Sequence, residues 1–430
     1  MSSRLHDASG RPRVVVTGMG AVSCLGHGRE ALLDALRSGR SGLRAMPGFA
    51  RLGMNCRVGG PVDIDALPEP PRKLRRFFAA PALYAWHAIN EAIAHAKLPT
   101  DALHASDCGL VMGGGSALSE HEEALDSFRA KGIGKLSPFI VPRGMSNALS
   151  ASMAHAFGIG GVSHTISSAC TSATNAIGHA MELIQLGKQQ IVITGGAEEL
   201  HDSTAMWFDA MGALSVADDA QPQHASRPYD SDRDGFVLAA GAGVLVLESL
   251  AHATARKAPI LAELVGYGTC TDAASMVSPT AEGIARAMRQ ALDQAGGMSS
   301  DNIPPNSTLP DYINTHACST PQGDLAEWRA IATICAERQQ PVPPLSSIKG
   351  QSGHAPGAAG ALDAIASLLM MEHGFLAAGS PIGTRDPAFA DAPLVTTTRS
   401  QRIDNVLSNN FGFGGSCASL LFRRYAEGHV

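Results

Sequence analysis

A helix with one apolar stripe lies near the middle of the chain, between two predicted strands. Apolar residues recur at helical spacing from Ala173 to Ile184, and Gly187 follows where the helix is expected to stop. Ile166 closes the strand before the helix, and residues 190–199 predict the next buried strand and a glycine turn. This order of strand, helix and strand is typical of a layered α/β domain.

The same pattern restarts in the second half of the chain. A buried strand running into a glycine turn is predicted over residues 13–23, and residues 260–267 and 280–296 again predict a strand and a helix. We therefore predict two α/β halves of similar topology, residues 1–255 and 256–430, whose active loops meet in the middle.

Composition describes a globular protein of enzyme size. The chain has 430 residues, of which 45% are hydrophobic, enough for a large core. Lys and Arg number 33 against 39 Asp and Glu, giving a net charge of −6, so nothing global favours nucleic acid or an anionic membrane as a partner. Any basic docking site must be local.

The cysteines and the N-terminus indicate where the protein resides. Eight cysteines are scattered without a CxxC pair, so neither a zinc site nor a disulfide framework is indicated. The first 13 residues are polar, and no run of 18 apolar residues occurs anywhere. We expect a soluble, unsecreted protein of the reducing cytoplasm.

Two stretches suggest binding motifs, but their spacing excludes both. Gly18 and Gly20 follow a strand as in dinucleotide-binding folds, but the third glycine position holds Ser23. Residues 227–235 are rich in aspartate but lack the spacing and the terminal Glu of a calcium loop. No nucleotide cofactor or metal is therefore predicted.

A basic cluster, Arg72-Lys-Leu-Arg-Arg76, stands at the start of a predicted helix. Four cations there oppose the helix dipole, because the N-terminus already carries partial positive charge. The cluster is either an ordinary solvated helix start or a docking site for an acidic partner.

Cys170 lies in the turn just before the apolar helix. Unpaired backbone N–H groups and the positive end of the helix dipole converge there, which predicts that the thiolate is favoured over the thiol. The alternative is an ordinary small buried cysteine. Residues 137–157, rich in small residues and Met, are expected to lie buried near Cys170, and pocket depth is expected to depend on residues 137–145 and 206–211.

Three polar, glycine-flanked stretches lie in the second half of the chain. They are residues 314–327, with His316; residues 347–360, with His354; and residues 408–417, a glycine loop before the last strand. Either histidine alone is more typical of a core or surface residue. A nucleophilic cysteine together with two histidines indicates acyl transfer, which needs a nucleophile, oxyanion donors and proton handling.

These stretches resemble the β-ketoacyl-acyl-carrier-protein synthases, over nearly the whole chain. The shared motifs are Ser-Ala-Cys170-Thr-Ser, His316-x-x-Ser-Thr-Pro-x-Gly-Asp, Lys349-x-x-x-Gly-His354-x-x-Gly-Ala-Ala-Gly and Asn-Asn-Phe411-Gly-Phe413-Gly-Gly. Residues 186–200 and 208–215 are most similar to the type I bacterial condensing enzymes. The resemblance implies a thiolase-type α/β fold, five αβαβα layers built from two halves, and a homodimer.

The resemblance also implies a role for each matching residue at the reaction centre. Cys170 matches the acylated nucleophile, and the backbone N–H groups of Cys170 and Phe413 match the oxyanion hole. His316 and His354 match the pair that assists malonyl decarboxylation. Lys349 and Glu327 match a lysine and a buried acid beside that pair, with positional and electrostatic roles.

Further matches concern how substrates reach the centre. Phe411 and Phe413 match the gate region, Cys318 and Thr320 match positions that bind the pantetheine arm, and Arg72, Lys73 and Arg76 match the patch that docks acyl carrier protein. The implied partners are acyl- and malonyl-loaded carrier proteins. No separate cofactor is expected, because these partners carry the phosphopantetheine.

The chain departs from the family pattern at two places. Ala317 and Cys318 replace the glycine and first threonine of the usual His-Gly-Thr-x-Thr, which removes one expected contact to the arm. Ser416 and Cys417 stand where the gate loop usually continues with Thr-Asn, which removes an amide expected to hold that loop. We expect an active enzyme with altered substrate range or affinity.

Three alternatives stay open. A thiolase shares the fold and the cysteine, but it has one active-site histidine where this chain offers two. A non-catalytic partner, like a chain-length factor, generally lacks the nucleophile. A synthase of a polyketide, polyene or other specialised pathway keeps the same chemistry with different substrates.

Overall fold

The computed structural model describes residues 5–217, 219–296, 309–379 and 381–426. The strands are β1 Val14–Ser23, β2 Gly26–His27, β3 Arg44–Ala45, β4 Val58–Gly59, β5 Cys108–Gly113, β6 Ser163–Ile166, β7 Ile191–Glu198, β8 Gly241–Ser249, β9 Ala262–Thr271, β10 Tyr312–Asn314, β11 Leu345–Ser346, β12 Phe375–Leu376, β13 Arg399–Ser400, β14 Asn405–Gly412 and β15 Ser416–Arg423.

The helices lie between these strands. They are α1 Arg29–Ser38, α2 Pro47–Arg51, α3 Arg72–Arg75, α4 Ala80–Ala96, α5 Thr100–Leu103, α6 Leu118–Lys131, α7 Ile140–Gly144, α8 Ala148–Phe157, α9 Ser172–Gln185, α10 Asp202–Ala210, α11 Leu250–Ala255, α12 Ala281–Gly296, α13 Pro321–Glu337, α14 Lys349–Ser352 and α15 Ala359–His373. Short 3₁₀ turns occupy Ile64–Ala66, Ile133–Lys135, Pro222–His224, Pro387–Phe389 and Phe413–Gly415.

The main sheet consists of two five-stranded sets with the same pairing pattern. Its order is β11-β10-β14-β15-β9-β1-β8-β7-β5-β6. In one set β1 and β8 are antiparallel, β8 and β7 are antiparallel, and β7, β5 and β6 are parallel neighbours. In the other set β9, β15, β14, β10 and β11 repeat this series. The predicted two halves of similar topology are therefore confirmed.

Helices and sheets alternate in five layers. α4 covers one face of the first set, α12 covers the outer face of the second, and α13 packs beside α12. α9 and α15 lie between the sets and contact strands of both. α15 is buried on every side from Ala359 to Met371, which explains why its sequence is apolar all round rather than striped. The expected αβαβα thiolase-type fold is confirmed.

The glycines of β1 and β7 lie inside the strands, so the predicted glycine turns there were wrong. A Cβ on Gly18 would lie 2.2 Å from the carbonyl oxygen of Ala92, and one on Gly20 would lie 2.1 Å from that of Ala88. These glycines therefore let α4 approach the sheet closely. The α9 prediction was correct, since the helix ends at Gln185 and Gly187 has a left-handed φ of 69°.

Residues 137–157 are only partly buried, contrary to expectation. α8 buries Leu149 and Met153, whereas Val141 is 71% exposed. Among the described residues, no helix combines the length and apolar content needed to cross a bilayer. Within the described ranges, no group of three or more His, Cys, Asp or Glu side chains is arranged to hold a metal ion.

Candidate active site

A cavity of about 430 Å³ lies where loops of the two halves meet. Cys170 reaches it from the turn between β6 and α9, His316 from the loop after β10, and His354 from the loop after α14. Cys318, Thr320, Phe411 and Phe413 also line it, together with Phe208, Met211 and Phe236. The residues 137–145, predicted to set pocket depth, are absent from its lining, whereas Met211 is present.

The turn that carries Cys170 is held by local hydrogen bonds. Ala169 adopts a left-handed φ of 51°, which is strained for a residue with a side chain. The backbone N–H of Ser168 donates to Ser172 Oγ at 2.9 Å, and Ser172 Oγ donates to the Ala169 carbonyl at 2.6 Å. The turn therefore fixes Cys170 two residues before the first residue of α9.

The electrostatics of Cys170 favour the thiol, contrary to the predicted preference for the thiolate. Burial raises the pKa of Cys170 to about 12, although the Lys349 charge and a backbone hydrogen bond lower it. Loss of solvation thus outweighs the helix terminus on which the prediction rested. Nucleophilic attack at neutral pH must therefore remove the thiol proton as the new bond forms.

The backbone at the end of β14, where the gate loop (Phe413–Gly415) begins, touches the backbone of the turn that carries Cys170. A Cβ on Gly412 would lie 2.9 Å from the amide nitrogen of Cys170 and 3.2 Å from the Ala169 Cβ. Only glycine permits this approach, which places the neighbouring Phe413 beside Cys170. The two N–H groups predicted to form an oxyanion hole therefore belong to adjoining loops.

His316 is a neutral, oriented imidazole. Burial, followed by the Lys349 charge and then the neighbouring His354, holds its pKa well below the ordinary value. Its Nδ1 lies 3.5 Å from Nδ2 of Asn410, a donor, which favours the tautomer with the proton on Nε2. Its backbone N–H and that of Ala317 donate to the two carboxyl oxygens of Glu327, each at 2.9 Å.

His354 offers its ring nitrogens to the cavity. Burial, followed by the Lys349 charge, holds its pKa well below the ordinary value. Its ring packs edge to face against His316 and Phe236, with centroids 5.2 Å and 5.5 Å apart. In the described part of the chain neither ring nitrogen has a hydrogen-bond partner, although the side chain is only 2% exposed. Such buried polar atoms are the natural contacts of a bound substrate.

A buried ion pair supports the two histidines from behind the cavity. Lys349 Nζ lies 2.6 Å from Asp363 Oδ2, and Asn410 Nδ2 donates to the same oxygen at 2.8 Å. Thr174 Oγ1 donates to Asn410 Oδ1 at 2.7 Å, which joins the network to α9. Sequence reasoning missed Asp363 and Asn410. The available signal was an acid inside the buried segment Ala359–Met371 of α15, whose other residues are mostly apolar.

Glu327 lies behind His316 rather than in the cavity. Burial raises its pKa to about 8, even though the backbone N–H groups of His316 and Ala317 lower it. The side chain fixes the His316 loop through those two hydrogen bonds. This placement suits the positional role that the resemblance implied for Glu327.

The gate loop makes contacts at both of its ends. Gly414 and Gly415 have φ of 79° and 76°, and the Phe413 ring lies 6.1 Å from that of Phe208. Ser416 Oγ lies 2.6 Å from Thr171 Oγ1, so the serine in place of the usual threonine joins the gate to the nucleophile turn.

The departure from the family pattern at Ala317-Cys318 is buried. Cys318 lines the cavity 3.9 Å from Thr320 Oγ1, and burial raises its pKa. Its backbone N–H donates to Asp324 at 3.1 Å, while the Ala317 carbonyl accepts from Ser347 Oγ at 2.6 Å.

The predicted docking residues lie apart from the cavity, on and beside α3. Arg72, Lys73 and Arg76 are exposed. The guanidinium of Arg76 lies over the rings of Phe77 and Phe139, 4.9 Å and 5.2 Å from their centroids, which fixes its direction. A larger cavity of about 1030 Å³ is lined by residues such as Arg13 and Arg424. Its lining does not include Cys170, His316 or His354.

The fold and the site define a cysteine-dependent acyltransferase of the condensing type. Comparison with known proteins supports the same class. The family model described as "Beta-ketoacyl synthase, N-terminal domain" matches residues 11–253, and that described as "Beta-ketoacyl synthase, C-terminal domain" matches residues 261–381. The chain belongs to the β-ketoacyl synthase family.

Individual relatives and solved structures show which members of the family this chain is similar to. The chain is 42% identical to 3-oxoacyl-acyl-carrier-protein synthase 1 of Haemophilus influenzae and 41% identical to that of Escherichia coli, over 96% of this chain and 99% and 100% of theirs. A β-ketoacyl synthase from Burkholderia phymatum superposes with a TM-score of 0.88 at 35% identity, covering 96% of this chain and 100% of that one. The ishigamide ketosynthase/chain length factor gives 0.85 at 30% identity, covering 97% and 100%.

Proposed function

We propose that this chain elongates acyl chains by two carbons, condensing an acyl group held on Cys170 with malonyl-acyl-carrier protein. The observation that carries the proposal is one cavity lined by a thiol and two neutral imidazoles, with the ring nitrogens of His354 lacking protein partners within the described residues. Acyl transfer and enolate stabilisation need these groups together.

In the first half-reaction, Cys170 takes the acyl group from its carrier. The sulfur attacks the thioester carbonyl, the thiol proton passes to the leaving pantetheine sulfur, and the carrier departs as a free thiol. The N–H groups of Cys170 and Phe413 stabilise the tetrahedral oxyanion, where one donor typically contributes about 3 kcal/mol. Because the pKa of Cys170 is raised, proton removal accompanies the attack.

In the second half-reaction, malonyl-carrier protein loses carbon dioxide. The electron pair of the broken C–C bond moves into an enolate, whose oxygen accepts hydrogen bonds from His316 and His354. The enolate carbon then attacks the Cys170 thioester, the new C–C bond forms as the C–S bond breaks, and the released thiolate takes up one proton from solvent to restore the Cys170 thiol. Neutral rings suit this role because each donates one N–H. Burial, followed by the Lys349 charge, lowers the pKa of both rings and keeps them unprotonated.

The partners follow from the same reaction. Arg72, Lys73 and Arg76 form an exposed basic patch for the acidic carrier protein, and Cys318 and Thr320 line the path of its pantetheine arm. A neighbour at 29% identity is described as a type II polyketide acyl-carrier protein in complex with its ketosynthase. The chain needs no cofactor beyond the pantetheine that its substrates carry.

We also propose a homodimer in the cytoplasm. β6 is the last strand of the sheet, so its outer edge is available for pairing with a second copy. Large apolar side chains, including Phe128, Ile133 and Val141, are exposed on the segment between β5 and β6. Burial of such side chains against a second copy suits an isologous interface.

A condensation assay tests the proposal. Purified protein receives malonyl-carrier protein with acyl-carrier proteins of several lengths, and mass spectrometry reads both the products and the Cys170 adduct. We expect products two carbons longer, absent from Cys170→Ala and retained in Cys335→Ala, a buried cysteine outside the cavity. Absence of condensation, with Cys170 unmodified by every donor, would indicate a non-catalytic partner instead.

A further inference from the structure

Cys270 and Cys417 face each other across two neighbouring strands outside the catalytic cavity. They are directly opposed partners of the antiparallel pair β9 and β15. Opposed residues of such a pair have Cα atoms about 4.5–5.5 Å apart. A disulfide needs about 4.4–6.8 Å between the same atoms, so the backbone already meets its main geometric condition.

The two thiols have different surroundings. Cys417 is fully buried, and Cys270 is half-buried at the end of β9, where its Sγ lies 3.2 Å from the Gly283 carbonyl. The neighbouring Cys417 thiol and the charge of Arg286 on α12 lower the pKa of Cys270, against burial and the nearby Asp272 carboxylate. The same pairing raises the pKa of Cys417.

The pair lies directly beneath the gate loop. The backbone N–H of Asp272, two residues beyond Cys270, donates to the Gly415 carbonyl at 2.6 Å, and the N–H of Gly414 donates to the Met276 carbonyl at 2.8 Å. Gly415 itself lies two residues before Cys417, and no Cβ fits there beside the Asp272 backbone. The segment after β9 is therefore hydrogen-bonded to the gate loop.

We propose that Cys270 and Cys417 form a peroxide-responsive thiol pair whose disulfide locks β9 to the start of β15, directly after the gate loop, and slows chain elongation. The slowing rests on the proposed function, because it requires Phe413 to move between the two half-reactions. The disulfide itself does not. None of the residues that position Cys170, His316 or His354 takes part in it.

The chemistry needs only a peroxide as oxidant. The Cys270 thiolate attacks one peroxide oxygen, the O–O bond breaks, and a sulfenic acid and water form after uptake of one proton. The Cys417 sulfur then attacks the sulfenic sulfur, an S–S bond forms, and the hydroxyl leaves as water with the thiol proton. Overall, two thiols and one hydrogen peroxide give one disulfide and two waters, and a dithiol reductant reverses the linkage.

Peptide mapping tests the linkage without any activity. Full-length Cys170→Ala protein is treated with hydrogen peroxide, remaining thiols are alkylated, and the digest is read by mass spectrometry before and after dithiothreitol. We expect a linked peptide pair containing Cys270 and Cys417, absent from Cys270→Ala and unaffected by Cys335→Ala. Recovery of both cysteines as free or singly oxidised peptides would overturn the proposal.

Elongation rates test the coupling to the gate. The wild-type protein, acylated at Cys170 for protection, should lose about tenfold in elongation rate after peroxide and regain it with dithiothreitol, since gating motions limit many turnover rates. Cys270→Ala should keep its rate. Equal losses in both proteins, or a formed disulfide with an unchanged rate, would refute the gate effect. A protein with no elongation at any stage would instead refute the proposed function while leaving the mapping result readable.

Discussion

Replacing Lys349 by Met would remove one partner of a buried ion pair, and the structure sets the size of the effect. Lys349 Nζ and Asp363 Oδ2 are 2.6 Å apart, and each side chain is about 2% exposed. Removing one member of such a pair typically costs about 3–5 kcal/mol, because the other is left as an uncompensated buried charge. Burial already raises the pKa of Asp363, so in the variant this carboxylate should take up a proton. The loss in free energy of unfolding should therefore be about 3 kcal/mol.

The same variant should change how activity depends on pH. The Lys349 charge contributes to the lowered pKa of both His316 and His354. Without it the pKa of each ring rises, so the rings become protonated at higher pH. Because the neutral rings are the active form, the acid limb of the malonyl decarboxylation profile should move upward in pH.

A double-mutant cycle makes this reasoning refutable. Urea unfolding is measured for Lys349→Met, for Asp363→Asn, which keeps the shape and an acceptor for Asn410, and for the double variant. We expect the double variant to lose much less stability than the two single losses combined, because it leaves no unpaired charge. Single losses below about 1 kcal/mol, or strictly additive losses, would refute a tight buried pair.

Three further predictions concern other parts of the molecule. Glu327 has a folded-state pKa of about 8 against an ordinary 4.5, so the folded state binds more protons in that window and the free energy of unfolding should fall as pH rises through it; Glu327→Gln should flatten this dependence in urea titrations. Gly20→Ala should lower the free energy of unfolding by about 1–3 kcal/mol, because its Cβ would clash with α4. The control Gly115→Ala, whose Cβ would lie in open space, should change the free energy of unfolding by less than about 0.5 kcal/mol. Reversing charge at Arg72 and Lys73 should raise KM for carrier-protein substrates but not for free pantetheine thioesters, and an equal KM at low and high salt in the wild type would contradict electrostatic docking.

The hydrophobic pattern of the sequence predicted several elements whose formation depends on nearby residues. The apolar stripe of α9 and the restart of strands in the second half were readable in the sequence, because periodicity is a short-range signal. The prediction of a glycine loop over residues 408–417 was wrong for most of that stretch, which forms the end of β14 and the start of β15 around a 3₁₀ turn at Phe413–Gly415. The family motifs then predicted that Cys170, His316 and His354 share one site.

Features set by tertiary contact were not readable in this way. The pKa of Cys170 follows from how deeply the folded chain buries its sulfur, which the helix-terminus argument did not include. Asp363 becomes meaningful only when α15 places it against Lys349, and the opposition of Cys270 and Cys417 exists only through strand register. Gly18 and Gly20 gave the same signal as a turn, although it is α4 that requires them.

The repeated strand pattern also explains why a duplicated scaffold supports a single centre. By pairing order, β5 and β7 in the first half correspond to β10 and β14, whose ends lead to His316 and Phe413. At the matching ends, Gly113 lies against the backbone of Ala173, and Gly196 lies against that of Gly357, with no room for a Cβ. Two identical halves would present two equivalent reaction centres. Here the first half supplies the nucleophile and the second half supplies His316 and His354, while the glycines at the matching strand ends allow only close backbone contact.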